Sequence, residues 1–350
     1  MPLKSKRSPA EGEFLFEIDE TPTDECLTAF GGLPLFVRTA RSLDVPGSVK
    51  RNLALKRRDR GFDEATYIES FLVLNAADGD CLEDFDCLRE DQGLAAMLGH
   101  EVPSPEAARK FLYQFHDPEK MERAQRDLPV GEVSYVPEES TPLRGLAQVN
   151  QDVVRELTRR CAGERIATVD MDATVIESRK REAKAIYEGS HGYQPMVAMW
   201  AEMNVVVAEE FRDGNVPVLK DPLRVAQRAF AALPGTTRER YFRGDSGCDE
   251  AELLSWLRDK KRANGPEGLI GFAVSARVNP ALRDEIESMA EEKWQPYGED
   301  SEVVKECAQV DYFPYPSGQP IFPFPTFSGM IPDGDISARR VFESSERRRP

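Results

Sequence analysis

Residues 166–174 read Ile-Ala-Thr-Val-Asp-Met-Asp-Ala-Thr, an apolar run that ends on two carboxylates, Asp170 and Asp172. About seventy residues later, Arg240-Tyr241-Phe242-Arg243-Gly244-Asp245-Ser246 repeats the design, β-formers running into one acid beside a glycine. Short apolar runs bounded by small residues read as buried strands, and α/β folds gather their chemistry at the carboxyl ends of such strands. Two strand-end carboxylates point to a divalent-metal site. Taken alone, Asp-x-Asp at a strand end also describes a turn or a helix N-cap.

The ligand chemistry is narrowed by what else the chain contains. Six cysteines are scattered without a CxxC pair, and the three histidines, His100, His116 and His191, lie far apart. Zinc-type spacing is absent and a reduced compartment is expected. Oxygen ligands favour Mg²⁺ or Mn²⁺. No stretch is long and apolar enough for a membrane span and the start lacks a signal-peptide core, so a soluble cytoplasmic protein is expected.

A net charge of −16 argues at first against a nucleic-acid partner. Its distribution tempers that reading. Residues 78–91 carry seven acids against one base, and residues 283–306 nine against three, so these two stretches supply −12. Elsewhere Lys50, Arg51, Lys56, Arg57, Arg58 and Arg60 put six cations into eleven residues, able to meet a phosphate backbone or to form a solvated helix face.

Residues 1–30 read as a polar tail and 31–128 as a helical domain. Within it, Glu64 to Ala77 and Leu82 to Leu98 are amphipathic runs, and Ser104 caps a helix that starts at Pro105. Prolines 129, 137 and 142 mark a linker over 129–142. Helical spacing then resumes from Leu143 to Arg160 before the first Asp-bearing strand. Pro195 to Val207 reads as an antiparallel hairpin turning at Met203-Asn204. After it come a helix at 222–233, a strand at 239–244, a helix at 249–262, a strand at 269–275 and an acidic helix at 281–293. The order β, β, β, α, β, α, β is the ribonuclease H-like order. The expected fold is therefore α/β, a ribonuclease H-like mixed sheet behind an all-α N-terminal domain, with the second domain spanning 143–312. Five prolines between 314 and 325 and the arginines near the end make 313–350 a disordered tail.

The chain resembles the DDE transposases of bacterial insertion sequences, in the group with a helical domain before a ribonuclease H-like catalytic domain. The matching stretches are Val169-Asp170-Met171-Asp172-Ala173-Thr174, Ala185-Ile186-Tyr187-Glu188-Gly189-Ser190-His191-Gly192-Tyr193-Gln194-Pro195, and Tyr241-Phe242-Arg243-Gly244-Asp245-Ser246-Gly247. Arg60-Gly61-Phe62 and residues 82–91 add to it. The resemblance implies two-metal phosphoryl transfer, with ions about 3.5–4 Å apart held by carboxylates on strands about 4.8 Å apart. It implies Asp172 as the first acid and Asp245 as the second, both on Mg²⁺ or Mn²⁺, with Asp170 as a supporting or alternative ligand. It implies double-stranded DNA with terminal inverted repeats as partner, and a homodimer in a synaptic complex. Arg179, Lys180 and Lys184, following the first acid, join the basic cluster as candidate DNA contacts. Asp249 and Glu250 are expected to cap a helix, Tyr193 and Trp200 to pack, and His191 to sit in a loop.

The family pattern departs near Asp311-Tyr312, before the third acid, a Glu on a late helix. Glu302, Glu306, Glu343 and Glu346 are available, none on an evident amphipathic helix. A reading frame cut short or shifted near residue 313 accounts for this, leaving two acids of three and a chain expected to be inactive alone. Asp-x-Asp-x-Thr also describes the nucleophile loop of haloacid dehalogenase-like phosphatases, where Asp170 would attack phosphorus and Asp172 act as acid and base. That family needs a strand-end Ser or Thr, then a Lys, before its acidic pair; here Ser275 follows Asp245 and Asp249, and Lys220 precedes Thr236 and Thr237. A third reading is a non-catalytic DNA-binding remnant.

Overall fold

The computed structural model describes residues 25–56, 60–161, 164–275, 280–293, 295–297, 305–307, 311–312 and 324–325. The expected tails at 1–30 and 313–350 fall almost wholly outside these residues. Helices fill the first half: α1 (Leu33–Ser42), α2 (Val45–Asn52), α3 (Glu64–Ala76), α4 (Phe85–Glu90), α5 (Gln92–Leu98), α6 (Pro105–Tyr113), α7 (Pro118–Arg126) and α8 (Thr141–Arg160). Their starts follow capping chemistry, since the side chains of Asp63, Ser104, Asp117 and Ser140 accept the N–H of Thr66, Ala107, Lys120 and Leu143.

The run expected as one helix over Leu82–Leu98 is broken. A 3₁₀ turn at Leu82–Asp84 leads into α4, and the extended Asp91 then caps α5 by accepting from Leu94 N at 2.7 Å. An Asp side chain offers the backbone a better bond at a cap than inside a helix, so the interruption falls there. Pro142 lies in the first turn of α8 rather than in the preceding connection, because proline has no N–H to lose at that position. Residues 132–140 carry neither helix nor strand, yet they are pinned. Lys220 Nζ donates to Ser134 O at 3.0 Å, and Arg228 bonds Glu139 at 2.6 Å.

Five strands, β1 (Ile166–Ala173), β5 (Met196–Trp200), β6 (Val205–Glu210), β7 (Glu239–Gly244) and β8 (Gly271–Val274), form one sheet in the order β6-β5-β1-β7-β8. Neighbours β1 and β5, and β5 and β6, run antiparallel; β7 runs parallel to β1 and to β8. This is the meander followed by alternation read from the sequence, behind an all-α N-terminal half. Helix α9 (Pro222–Ala232) connects β6 to β7, and α10 (Ala251–Arg258) connects β7 to β8. The next helix, α11, covers Pro280–Glu287, shorter than the expected 281–293.

The sheet is buried on one face. Ala167, Val169 and Met171 of β1 pack with Trp200, Phe242 and Val274 under apolar residues of α8, α9 and α10. Thr168 and Asp170 alternate to the other face and are half-buried, and Asp172 is exposed. Period 2 in β1 thus replaces the fully buried strand that its apolar composition suggested.

Between β1 and β5 the chain forms a small sheet ordered β2-β4-β3, from β2 (Ile176–Glu177), β3 (Lys184–Ala185) and β4 (His191–Tyr193). It prolongs the β1–β5 hairpin past the carboxyl end of β1, as Thr174 N donates to Pro195 O at 2.9 Å and Ile176 then pairs with Tyr193. We call residues 176–193 the arm. A Cβ at Gly192 would meet Ile176 O at 2.2 Å, so this close strand pairing requires glycine.

Helix α8 joins the two halves. Val149 packs with Val45, Val49 and Leu53 of the helical half, whereas Val154 lies in the sheet core. At its centre Asp152 accepts from Ser48, Asn52, Gln148 and Arg155. Burial by itself raises the Asp152 carboxyl, but those four hydrogen bonds outweigh it and bring the pKa down to about 2. A carboxylate depressed in the folded state stabilises above its unfolded pKa and loses that contribution as pH falls through the folded value. Acid titration of the wild type should therefore remove about 2 kcal/mol between about pH 4 and pH 2, and Asp152→Ala should lack that component. Equal slopes for the two proteins in urea melts across this window would refute it.

Candidate active site

Parallel pairing of β1 with β7 matches Asp170 to Arg243 and Met171 to Gly244, so Asp172 and Asp245 leave adjacent strand ends side by side. The two acids are exposed. Each is fixed by a nearby N–H: Asp172 Oδ1 accepts from Ala173 N at 2.8 Å, and Asp245 Oδ1 accepts from Gly247 N at 2.8 Å, capping a 3₁₀ turn at Ser246–Cys248. No ion pair engages either carboxylate among the described residues, and no group of three metal-ligating side chains forms among them.

The turn after Asp245 is tightly packed. Cys248 is fully buried and its thiol lies 3.7 Å from Met171 O. Burial, together with the charges of Asp245 and Asp172, pushes that thiol up to about 12. A Cβ at Gly244 would meet Cys248 Sγ at 2.7 Å, so glycine before the acid lets β7 close onto its own turn. The sequence signal for this was the Gly-Asp-Ser-Gly-Cys run, where small residues flank one acid.

Asp170, two residues before Asp172 on the same face of β1, is committed elsewhere. Arg243 grips it in a two-pronged pair, with Nε donating to Oδ1 at 2.6 Å and a terminal nitrogen donating to Oδ2. Sequence reasoning passed over Arg243, although its place two residues before Asp245 puts it directly across from Asp170.

The candidate DNA contacts fall into two groups. On α2, Arg51 is held by Asp44 at 2.9 Å and Asp152 at 3.5 Å, and Lys50 stands 3.9 Å from Asp63. Lys56 Nζ donates to Gly61 O at 3.2 Å, Arg60 is exposed, and Arg57 and Arg58 lie outside the described residues. Arg155, Arg159 and Arg160 on α8 are likewise paired with acids. In contrast, Arg179 and Lys180 on the arm are exposed and make no ion pair among the described residues. Lys184 lies in β3, where its charge reaches Asp213.

Glu250 caps α10 through Glu252 N and Leu253 N, Trp200 is fully buried, and Tyr193 packs on Phe211. His191, expected in a loop, is instead an exposed residue of β4 opposite Ala185. Pairing explains the difference, since His191 lies opposite Ala185 of β3 and its carbonyl accepts from Ser178 N at 2.9 Å, which draws it into the strand. Of the proposed third acids, Glu306 lies in a short strand at Lys305–Cys307, and Glu302, Glu343 and Glu346 are outside the described residues.

The described residues thus form a mixed sheet behind a helical half, with Asp172 and Asp245 at the ends of two neighbouring parallel strands. The family model for the transposase DDE domain, group 1, matches residues 21–315, and the chain belongs to that family. Among solved structures, a cryo-EM structure of a piggyBac transposase synaptic complex with hairpin DNA is similar at 12% identity and a TM-score of 0.39. The similarity covers 76% of this chain, which spans 56% of the length of that one. No curated protein matches the sequence. Among the described residues, no helix is long and apolar enough to cross a membrane.

Proposed function

We propose that this chain carries two of the three acids of an insertion-sequence transposase's strand-cleaving and strand-joining site, a site for double-stranded DNA and Mg²⁺ or Mn²⁺, and that it is inactive alone. The observation that carries the reading is the juxtaposition of Asp172 and Asp245 at neighbouring strand ends in a member of the DDE family. The strand order supports a ribonuclease H-like catalytic domain. The donors suit a hard cation: two exposed carboxylates, each with Oδ1 held by a backbone N–H and Oδ2 left for a metal. When bound, such ions activate the attacking hydroxyl and stabilise the departing oxygen of a phosphodiester. Asp172 and Asp245 would hold the cation, and Gly244 and Gly247 keep the second acid against the first. Arg243 occupies Asp170, which leaves Asp170 a supporting group. Paired element ends call for two sites, so a homodimer is the proposed assembly.

The phosphatase alternative finds less support. Antiparallel β5 beside β1 is foreign to a parallel sheet of that kind, and an Asp170 engaged by Arg243 is a poor nucleophile. The resemblance implies three acids, and two come together among the described residues. Pure protein is therefore expected to leave labelled duplex uncut in Mg²⁺ or Mn²⁺. Nicking that vanishes in both Asp172→Ala and Asp245→Ala would keep the transposase reading and overturn the inactivity. Phosphomonoester turnover lost in Asp170→Asn would transfer the protein to the phosphatases.

A further inference from the structure

Glu69 of α3 is a buried acid in the helical half, far in sequence from the strand-end pair, and two other segments converge on it. From α1, Arg41 grips it in a two-pronged pair, with Nε donating to Oε2 at 2.8 Å and a terminal nitrogen donating to Oε1; that same nitrogen donates to Leu98 O at the end of α5. From the turn between α5 and α6, His100 Nε2 lies 2.8 Å from Glu69 Oε1, and His100 Nδ1 lies 2.9 Å from Glu101 O. Both ring nitrogens therefore face acceptors. A neutral imidazole has a single N–H and would turn a lone pair on one of them, whereas imidazolium donates to both.

The Glu69 side chain is 7% exposed, so water does not readily replace a donor lost there, while His100 at 19% keeps a path for its proton. Other charged side chains of the packed elements are turned to different partners. Glu64 accepts from Leu55 N and Lys56 N, Glu106 pairs with Arg109 and Lys110, Arg38 is exposed, and α5 carries no charged residue. The hydrogen bond to Glu69 raises the His100 pKa against burial and the Arg41 charge, with Glu101 O adding to it. Burial raises the Glu69 carboxyl, but the bonds from His100 and Arg41 outweigh it and hold that carboxyl low.

We propose that His100 is a proton-operated latch of the helical half: as imidazolium it ties the α5–α6 turn to α3 through Glu69, and loss of its proton releases that turn while Arg41 keeps α1 in place. The turn is worth holding, because Val102 within it is buried in the helical core. A folded state that holds this proton more tightly than the unfolded chain gains the full contribution below the unfolded pKa, about 6.5, and loses it as pH rises through the folded value. The latch is closed in mildly acidic solution and opens toward alkaline pH.

Its test uses the full chain, with NMR titration of the histidine Cε1–H signals and guanidinium unfolding from about pH 5.5 to about pH 9. The chain has three histidines, so the signal missing in His100→Gln identifies the latch. His100 should titrate above about 6.5, and the wild-type folding equilibrium constant should drop tenfold for every unit of that upshift, a step absent from His100→Gln. Hydrogen-exchange protection of the amides of residues 99–104 should fall through the same step, with α9 unaffected. The wild-type titration and exchange carry the test even if the variant fails to fold. A His100 titrating at or below about 6.5, the same pH step in a folded His100→Gln, or loss of protection spread equally over residues 99–104 and α9 would overturn the latch.

Discussion

Replacing Glu210 with Ala should cost about 3–5 kcal/mol of stability, because it strands a buried charge. Glu210 ends β6 with its side chain 4% exposed, and it accepts from Arg212 at 2.7 Å and Arg224 at 2.6 Å. Arg212 is itself 1% exposed and donates to Val218 O and Asp221 O, fixing the segment between β6 and α9. That same segment supports the arm, through a bridge from Asp213 to Tyr193 and a bond from Gly214 N to Gly192 O at 3.1 Å. Losing Glu210 leaves two carbonyls to solvate a guanidinium that water does not reach. Replacing both partners, Glu210→Leu with Arg212→Met, should be milder than Glu210→Ala, since no charge is then left buried. Guanidinium unfolding measures both. A loss below about 1 kcal/mol for Glu210→Ala would mean that water reaches the site or that Arg212 finds another partner.

Divalent cation should stabilise the wild type and leave Asp172→Ala and Asp245→Ala unaffected. A ligand that binds only the folded state at 100 times its Kd contributes about 2.7 kcal/mol, a large and saturable shift. Thermal melts across a Mn²⁺ titration read it. Asp170→Asn should retain the shift, because Asp170 is already committed to Arg243. Loss of the shift in Asp170→Asn with retention in Asp245→Ala would place the cation at the Asp170–Asp172 pair and exclude Asp245 as its ligand. Without metal, Asp172→Ala or Asp245→Ala should leave stability equal or improved, since each removes one of two adjacent like charges.

Much of the fold is written locally. The 222–233 and 239–244 segments match α9 and β7 because period and flanking breakers specify them within a few residues. The hairpin of 195–207 folds as β5 and β6, with Asn204 at φ +51° taking the left-handed turn that Asn tolerates. Where local chemistry offered two good choices the reading went astray. Asp91 could continue a helix or cap the next, and capping prevailed. The arm escaped notice because its strands are two or three residues long and carry no period, their pairing depending on Gly192 meeting Ile176 across space.

Sequence by itself determined the class of chain and singled out Asp172 and Asp245 as candidates, because apolar runs ending in acids can be recognised within a few residues. Tertiary structure decided how those acids are placed. The parallel register of β1 and β7 brings Asp172 beside Asp245 and sets Arg243 against Asp170. It also separates the neutralised cations of α2 and α8 from the unpaired ones of the arm. Which charges face one another depends on strand register and helix packing between residues tens of positions apart, and no local pattern encodes those distances.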